Sequence, residues 1–172
     1  MTLTASRPDD PISESADAGR SANNQRRRWM AVLARASREE LEQAWAALPE
    51  HPAWQWLRRP ETGLAMLRGR SGGSGGQFNL GEASITRCAL RNARGTTGFA
   101  YILGRDHRRA ELAAQFDALM QEGGASLDIA PGTANGVIAA LAAAQAARRE
   151  ASGRKTAATR VDFYTLVRGD EA

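Results

Sequence analysis

The first apolar pattern along the chain is a helical stripe that follows a polar stretch. Residues 1–24 are rich in Ser, Asp, Pro and Asn and have no apolar period, which predicts a disordered extension. The pattern changes at Gln25, and Trp29 and Leu33 then lie at helical spacing. We therefore predict a first helix that begins near Gln25 and ends near Ala36.

A second helical stripe follows a capping signal. Ser37 stands three residues before Glu40, which is the spacing of a capping box. Leu41, Trp45 and Leu48 then recur at positions i, i+4 and i+7. The two stripes together predict an antiparallel pair of helices.

The middle of the chain consists of short apolar runs separated by turn residues, a pattern typical of β-strands. The five runs are 54–58, 64–70, 77–80, 83–91 and 97–103. The connections at 79–82 and 92–95 have the length of hairpin loops. This spacing predicts an antiparallel β-meander.

The last of these runs is apolar on both of its faces. Its alternating residues are Phe99, Tyr101 and Leu103 on one face and Gly98, Ala100 and Ile102 on the other. Strands that are buried on both faces have this pattern. We therefore predict a central strand whose smaller face admits a close-packed helix.

Two more helices and a tail complete the pattern. Asp106 is a preferred N-cap residue, and the helix that follows it is expected to stop at Gly123. We predict a short strand at 126–130 and a long Ala-rich helix at 135–152. Residues 160–168 alternate weakly and are too apolar for a free tail, so we expect them to pack on something.

These elements predict an α+β fold in which an antiparallel β-meander sheet packs with helices. An N-terminal helix pair precedes the sheet, and a long C-terminal helix and an extended tail follow it. The length of 172 residues, with 42% hydrophobic and 24% charged residues, is ordinary for one globular domain. We expect that domain to span 25–172.

The chain is basic through arginine, since it holds 22 Arg and one Lys and carries a net charge of +4. A GC-rich genome explains such a bias, but the charge also favours an anionic partner. Acidic residues are interleaved and no nucleic-acid motif appears, so we expect no nucleic-acid partner. Without a membrane-length apolar run or a secretory leader, we expect no membrane partner and a reducing cytoplasm.

Few residues suggest catalysis by this chain alone. Cys88 lies within a strand pattern, where a small buried hydrophobe is a better interpretation than a nucleophile. His51 lies in a loop with nothing nearby in the sequence to orient it. No His, Cys or carboxylate cluster has metal-ligand spacing, so we expect no bound metal.

The glycine run at 72–76 has the composition of a phosphate-binding loop but not its sequence. A Walker loop continues with Lys and then Ser or Thr, whereas Gln77 follows here. We predict a flexible hairpin loop. The alternative is a mobile loop that becomes ordered on a substrate or partner, and its residues are Gly72, Gly73, Gly75 and Gly76.

The start of the helix after the last strand is a candidate anion site. Arg105, Asp106 and His107 lie where free backbone N–H groups and the helix dipole favour a negative charge. We expect Arg105 to lie closest to a substrate phosphate or a partner carboxylate, because its guanidinium matches both. A solvated helix start capped by Asp106 is the alternative.

Several strings, spread from about Arg28 to the C-terminus, together resemble one known family. They are Glu61-Thr62-Gly63-Leu64, Gly72-Gly73-Ser74-Gly75, Thr86-Arg87, Gly104-Arg105-Asp106, Asp117-Ala118-Leu119-Met120 and the closing run from Arg160 to Asp170. The chain resembles the PhnG subunit family of the bacterial carbon–phosphorus lyase core complex. Within the closing run, Arg160, Asp162 and Arg168 are further anion or interface candidates.

The resemblance implies a role in phosphonate metabolism with the partner subunits PhnH, PhnI and PhnJ. With PhnI, the chain would support displacement of adenine from ATP by methylphosphonate or another alkylphosphonate, giving a ribose 1-phosphonate 5-triphosphate. It would thus belong to the ribose 1-methylphosphonate 5-triphosphate synthase, a transferase, with the catalytic residues on the partner subunit. ATP would be a substrate of the complex, and this chain would bind no cofactor itself.

A different class of function stays open, in which the chain is a non-catalytic scaffold that only stabilises the assembly. Aromatic residues and arginines are typical anchors of protein interfaces, and the chain has both.

Overall fold

A computed structural model describes residues 11–123 and 132–161 of the chain. Their elements are α1 (Pro11–Leu33), α2 (Arg38–Ala46), β1 (Trp54–Arg70), β2 (Gln77–Asn92), β3 (Thr97–Leu103), α3 (His107–Glu122) and α4 (Ala134–Ala158). The strands form an antiparallel sheet in the order β1-β2-β3, and α3 packs against all three strands. The predicted α+β fold, with two helices before the meander and a long helix after it, is confirmed.

Both helices predicted before the sheet form, but they pack on α3 rather than mainly on each other, and α1 begins earlier than predicted. In α2, Ser37 accepts a hydrogen bond from the backbone of Glu40 and donates its own backbone N–H to that side chain, so the capping box is confirmed. Helix α1 begins at Pro11, which corrects the predicted start near Gln25, while the disordered extension proposed for 1–24 stays a prediction. Residues 19–24 are all exposed, so no apolar period marks this part of the helix.

The five predicted strand runs merge into three long strands. The connection expected at 79–82 is not a turn, because it lies inside β2, where Gly81 has a φ of +152° and the register against β1 shifts. An extra residue in one strand, a β-bulge, is accommodated without ending the pairing. A second irregularity surrounds Pro60 in β1, which is an edge strand and therefore tolerates proline.

Among the residues that the structure describes, β3 pairs with β2 alone and is an edge strand, so the prediction of a central strand is wrong. Its free edge is nevertheless capped: the backbone N–H of Phe99 donates to the Asp117 carboxylate, and Gln121 donates to the backbone carbonyl of Thr97. The side chains of α3 thus occupy backbone groups that a further strand would otherwise pair with.

The face of β3 that carries the smaller residues packs closely on α3, as predicted. A Cβ added at Gly98 would lie 1.9 Å from the carbonyl oxygen of Ala114, so only glycine fits at this crossing. Leu112 and Phe116 are fully buried between this face and the first two helices. Trp45 of α2 contacts Phe116 edge-on at 5.7 Å between ring centroids.

Asp117 is a buried carboxylate that ties three elements together. Its oxygens accept bonds from Arg26 Nε and Nη2 at 3.1 and 2.6 Å and from Trp29 Nε1 at 2.9 Å. The backbone N–H of Phe99 and the amide of Gln121 complete its contacts at 3.0 and 3.2 Å. Helices α1 and α3 and strand β3 are therefore fixed to one another through this single side chain.

Helix α4 extends beyond the predicted 135–152 and packs on α1. Thr133 caps its N-terminus, and the buried Gln145 donates to the carbonyl of Val32 at 2.9 Å. The strand predicted at 126–130 and most of the predicted tail lie outside the described residues. Within 11–123 and 132–161, no helix is both long and apolar enough to cross a membrane.

Candidate functional site

The connection from β3 to α3 brings the predicted anion candidates together. Gly104 turns the chain with a φ of +103°, a conformation that other residues rarely adopt. The side chain of Asp106 then accepts the backbone N–H of Arg109 at 2.9 Å, which confirms it as the N-cap of α3. His107 is the first residue of that helix.

A chain of side-chain hydrogen bonds connects this helix start to the sheet. The hydroxyl of Thr86, which is fully buried, donates to the carbonyl of Gly104 at 2.8 Å. The hydroxyl oxygen of Thr62 lies 3.2 Å from that of Thr86 and 3.0 Å from Nε2 of His107. Strands β1 and β2 therefore hold the first residue of α3 in place.

The protons of this chain can be assigned by counting donors. A carbonyl only accepts, so the one hydroxyl proton of Thr86 is used on Gly104. Thr62 must then donate to Thr86, which leaves Nε2–H of His107 as the donor to Thr62. Because the proton of Thr62 does not point at the histidine, this pair is not arranged as a nucleophile and its base.

Arg105 differs from the other cations at this site because it has no polar partner among the described residues. It is exposed, and within the described part of the chain it makes no ion pair or hydrogen bond. Its neighbours are occupied, since Arg108 pairs with Glu111 at 3.0 Å and Arg109 donates to the carbonyl of Ala34 at 2.7 Å. The site thus offers one uncommitted guanidinium beside a helix N-terminus.

The glycine run forms the hairpin loop between β1 and β2, as predicted, and its flexibility stays a prediction. Gly72 and Gly73 have φ values of +57° and +82°, and a Cβ at Gly75 would lie 2.5 Å from the carbonyl oxygen of Ser71. The loop lies about eight residues along the hairpin from the Gly104 turn, or roughly 25 Å at strand spacing. The structure does not bring the glycine run and Arg105 together.

The remaining predicted candidates are not placed at this site. Arg160 follows the end of α4 in a stretch without regular structure. Asp162 and Arg168 lie outside the described residues. Their assignment as anion or interface residues stays a prediction.

Sequence reasoning missed Thr62 and Thr86 as members of the site. Each lies in one of the strings that carry the family resemblance, and the two are register partners on β1 and β2. That coincidence was the available signal, but only the strand pairing shows that the two hydroxyls meet.

A charged cluster on the other face of the sheet was also missed. Arg58 and Arg87 both donate to Oε1 of Glu61 at 2.7 Å. The bond from Arg87, followed by that from Arg58, holds the pKa of Glu61 below its usual value. Two cations share one carboxylate, which leaves this cluster with a net positive charge.

Cys88 and His51, the two residues considered for independent catalysis, both make contacts that hold the fold together. Cys88 is buried and its Sγ donates to the carbonyl of Ala110 at 3.1 Å, and burial raises the pKa of the thiol to about 12. A thiol with this pKa is not a nucleophile at neutral pH. The His51 ring packs on Trp45, with 4.9 Å between the ring centroids. This contact orients the ring, although the residues next to His51 in the sequence gave no sign of it.

A cavity of about 470 Å³ lies at the opposite end of α3 from Arg105. Leu48, Arg94, Leu119 and Glu122 are among its lining residues, and Glu122 accepts a bond from Asn92. The cavity is open to solvent, and Arg94 and Glu122 form an ion pair in its lining. We therefore interpret it as a gap where neighbouring elements meet. Among the residues that the structure describes, no group of three His, Cys, Asp or Glu side chains could hold a metal ion.

Two comparisons with known proteins agree on one family. The sequence matches the family model for phosphonate metabolism protein PhnG over residues 24–169. One relative is the alpha-D-ribose 1-methylphosphonate 5-triphosphate synthase subunit PhnG of Rhizobium meliloti (strain 1021). It is 44% identical over 166 residues, which cover 94% of this chain and 99% of the relative.

Proposed function

Because this chain belongs to the PhnG family, we propose that it is a subunit of an alpha-D-ribose 1-methylphosphonate 5-triphosphate synthase. Its similarity to the Rhizobium meliloti subunit over nearly the full length carries this proposal. We propose PhnI, PhnH and PhnJ as its partners. With PhnI it supports displacement of adenine from ATP by methylphosphonate or another alkylphosphonate.

The proposed reaction is a substitution at the anomeric carbon of the ribose of ATP. A phosphonate oxygen forms a bond to C1′ while the bond from C1′ to the adenine nitrogen breaks, and adenine leaves with the proton that the phosphonate hydroxyl gives up. Both reactants carry anionic phosphorus groups, which a guanidinium binds through paired hydrogen bonds. The contribution proposed for this chain is anion binding by Arg105. The catalytic groups are assigned to PhnI, and the chain itself binds no cofactor.

The proposal is tested by adenine release from ATP and methylphosphonate, measured with the reconstituted complex. Leaving this chain out should abolish release. Arg105→Ala should lower turnover about ten- to one-hundred-fold, as expected for a charged hydrogen bond, with assembly by gel filtration unchanged. Arg154→Ala is the matched control, because Arg154 is an exposed arginine of α4, with a side chain 71% exposed.

Arg105→Lys separates charge from geometry, since lysine keeps the charge and loses the bidentate fork. We expect a turnover between those of the wild type and Arg105→Ala. If both Arg105 variants match the wild type in turnover and in assembly, Arg105 is a solvated charge and its proposed role is wrong.

The second candidate is a scaffold that stabilises the assembly without taking part in turnover. The observation that favours it is a sheet face of large exposed apolar side chains, including Tyr101 and Leu103 at 59% and 66% exposure. A scaffold predicts that every variant that lowers turnover also lowers assembly in proportion. Turnover lost in a fully assembled Arg105 variant would exclude it.

A further inference from the structure

One face of the sheet has no helix packed on it in the described part of the chain. Helix α3 covers the face that holds Thr86, Cys88, Leu90 and Ile102. The opposite face, here called the outer face, carries six large apolar side chains that are 40% to 66% exposed. They are Leu67, Phe78, Leu80, Phe99, Tyr101 and Leu103.

The strand register makes these six residues one continuous surface. Leu103 is the register partner of Ile85, at the point where the β1–β2 hairpin extends beyond β3. Toward the hairpin tip, Phe78 and Leu80 lie over Gly69, where an added Cβ would be 3.3 Å from the Phe78 ring. The outer face therefore runs from the edge strand to the end of the hairpin.

The area of the outer face is large for a surface that stays in water. At roughly 200 Å² for a fully exposed side chain of this size, the six residues present about 600 Å² of apolar surface. The largest patch on a typical monomer is about 300–600 Å², while a stable interface buries about 800 Å² on each partner. The outer face is thus close to the size that a stable complex requires.

Charge on the outer face indicates the chemistry of the surface that covers it. Arg87 is the register partner of Tyr101, and it shares Glu61 with Arg58. Arg91, on the same face, donates to the hydroxyl of Thr97 and forms no ion pair with a described residue. Three cations and one carboxylate leave a positive charge beside the apolar residues, which favours a partner with carboxylates there. Two copies of this chain placed face to face would oppose like charges.

We propose that the outer face docks a different subunit of the synthase, through a surface that is apolar at its centre and bears carboxylates opposite Arg87 and Arg91. This inference rests on the proposed function for the existence of such a subunit. It goes further by assigning which face of this chain makes the contact and what chemistry the contact has.

The first test is assembly of the co-expressed complex, purified through a tag on a partner subunit. Leu80→Glu and Leu103→Glu should each lower recovery of this chain at least about tenfold, because each places a charge in an apolar contact. Leu64→Glu is the matched control: Leu64 is equally exposed at 65%, but its side chain lies on the opposite face of the hairpin. Normal recovery of both outer-face variants would overturn the proposal, and so would equal loss in the control.

A second test does not depend on destabilising the contact. Cys88 is the chain's one cysteine and is buried, so an introduced cysteine is the reactive thiol. Alkylation of Leu80→Cys and Leu103→Cys should be fast in the isolated chain and at least about tenfold slower in the complex. Alkylation of Leu64→Cys should change less than about twofold.

The same labelling identifies other occupants of the outer face. Slow labelling of Leu103→Cys in an isolated monomer would mean that the chain covers this face itself. Protection that appears with rising concentration of the isolated chain would mean a second copy. Either result overturns the proposal. Adenine release is measured separately, with and without this chain. If the chain docks through the outer face but adenine release is the same without it, the proposed function is refuted and the docking surface is not.

Discussion

The sharpest prediction about the fold concerns the Asp117 carboxylate, which is fully buried. In Asp117→Asn one of the two acceptor oxygens becomes an NH₂ group that faces N–H donors. If Oδ1 is replaced, Arg26 Nε and Trp29 Nε1 lose their acceptor. If Oδ2 is replaced, Arg26 Nη2, the backbone N–H of Phe99 and the amide of Gln121 lose theirs. Either orientation leaves at least two donors facing a donor.

The size of the effect follows from those contacts. An unsatisfied buried donor costs about 1–3 kcal/mol, and breaking a buried ion pair costs about 3–5 kcal/mol. The Arg26 side chain is 32% exposed, so water can partly replace the carboxylate, which favours the lower end. We expect Asp117→Asn to lower the free energy of unfolding by about 3 kcal/mol, equivalent to a fall in Tm of roughly 6–12 °C for a domain of this size.

Urea unfolding followed by tryptophan fluorescence measures this difference, with the m-value expected to stay constant. Glu150→Gln makes the same change from carboxylate to amide at a side chain that is 79% exposed and pairs with Arg154 at 4.0 Å. This control should cost less than about 0.5 kcal/mol. If Asp117→Asn lies within about 1 kcal/mol of the wild type, the carboxylate does not hold the three elements together and the reasoning fails.

Three further predictions concern single sites. Gly98→Ala should destabilise the fold by about 1–3 kcal/mol or more, because the added Cβ would meet the Ala114 carbonyl. Gly63→Ala is the control and should cost little, because nothing lies within 4 Å of its added Cβ. Thermal unfolding compares the two variants, and equal Tm values would contradict the packing argument. Cys88 should resist alkylation at pH 8 until denaturant is added. Because its folded pKa is raised above that of the free thiol, its contribution to stability should be lost as pH rises from about 9 to about 12, and rapid native labelling would show the thiol to be accessible. Ser37→Ala removes the capping-box acceptor and should cost about 1 kcal/mol in urea unfolding; a cost near zero would mean that water replaces the cap.

Local signals predicted the parts of the fold that depend on neighbours in sequence. The Ser37 capping box, the Asp106 cap and the stop of α3 at Gly123 all appear where the pattern places them. Each depends on residues within one helical turn, which a sequence displays directly. The errors within the sheet concern pairing instead, because Gly81 and Pro60 resemble strand ends and only the partner strand shows that they are bulges or edge positions.

The candidate site divides in the same way. Arg105, Asp106 and His107 are consecutive, so a helix start in the sequence was enough to find them. Thr62 and Thr86 come from two strands, and their meeting depends on a register that no local pattern specifies. The direction of the proton on His107 depends in turn on those two hydroxyls, so the site's chemistry could not be worked out before the sheet was known.

The wrong prediction for β3 and the docking proposal have one physical cause. An alternating sequence with apolar residues on both faces predicts burial on both faces, and the prediction of a central strand followed from that rule. Among the described residues only the Gly98 face is covered, while Phe99, Tyr101 and Leu103 are exposed. Large apolar residues at three alternating positions of an edge strand promote aggregation when they are exposed to water. The pattern is explained if β3 is buried on both faces in the assembled complex, with another subunit covering its outer face. Protection of Leu103→Cys in the complex and its exposure in the free chain would confirm that explanation.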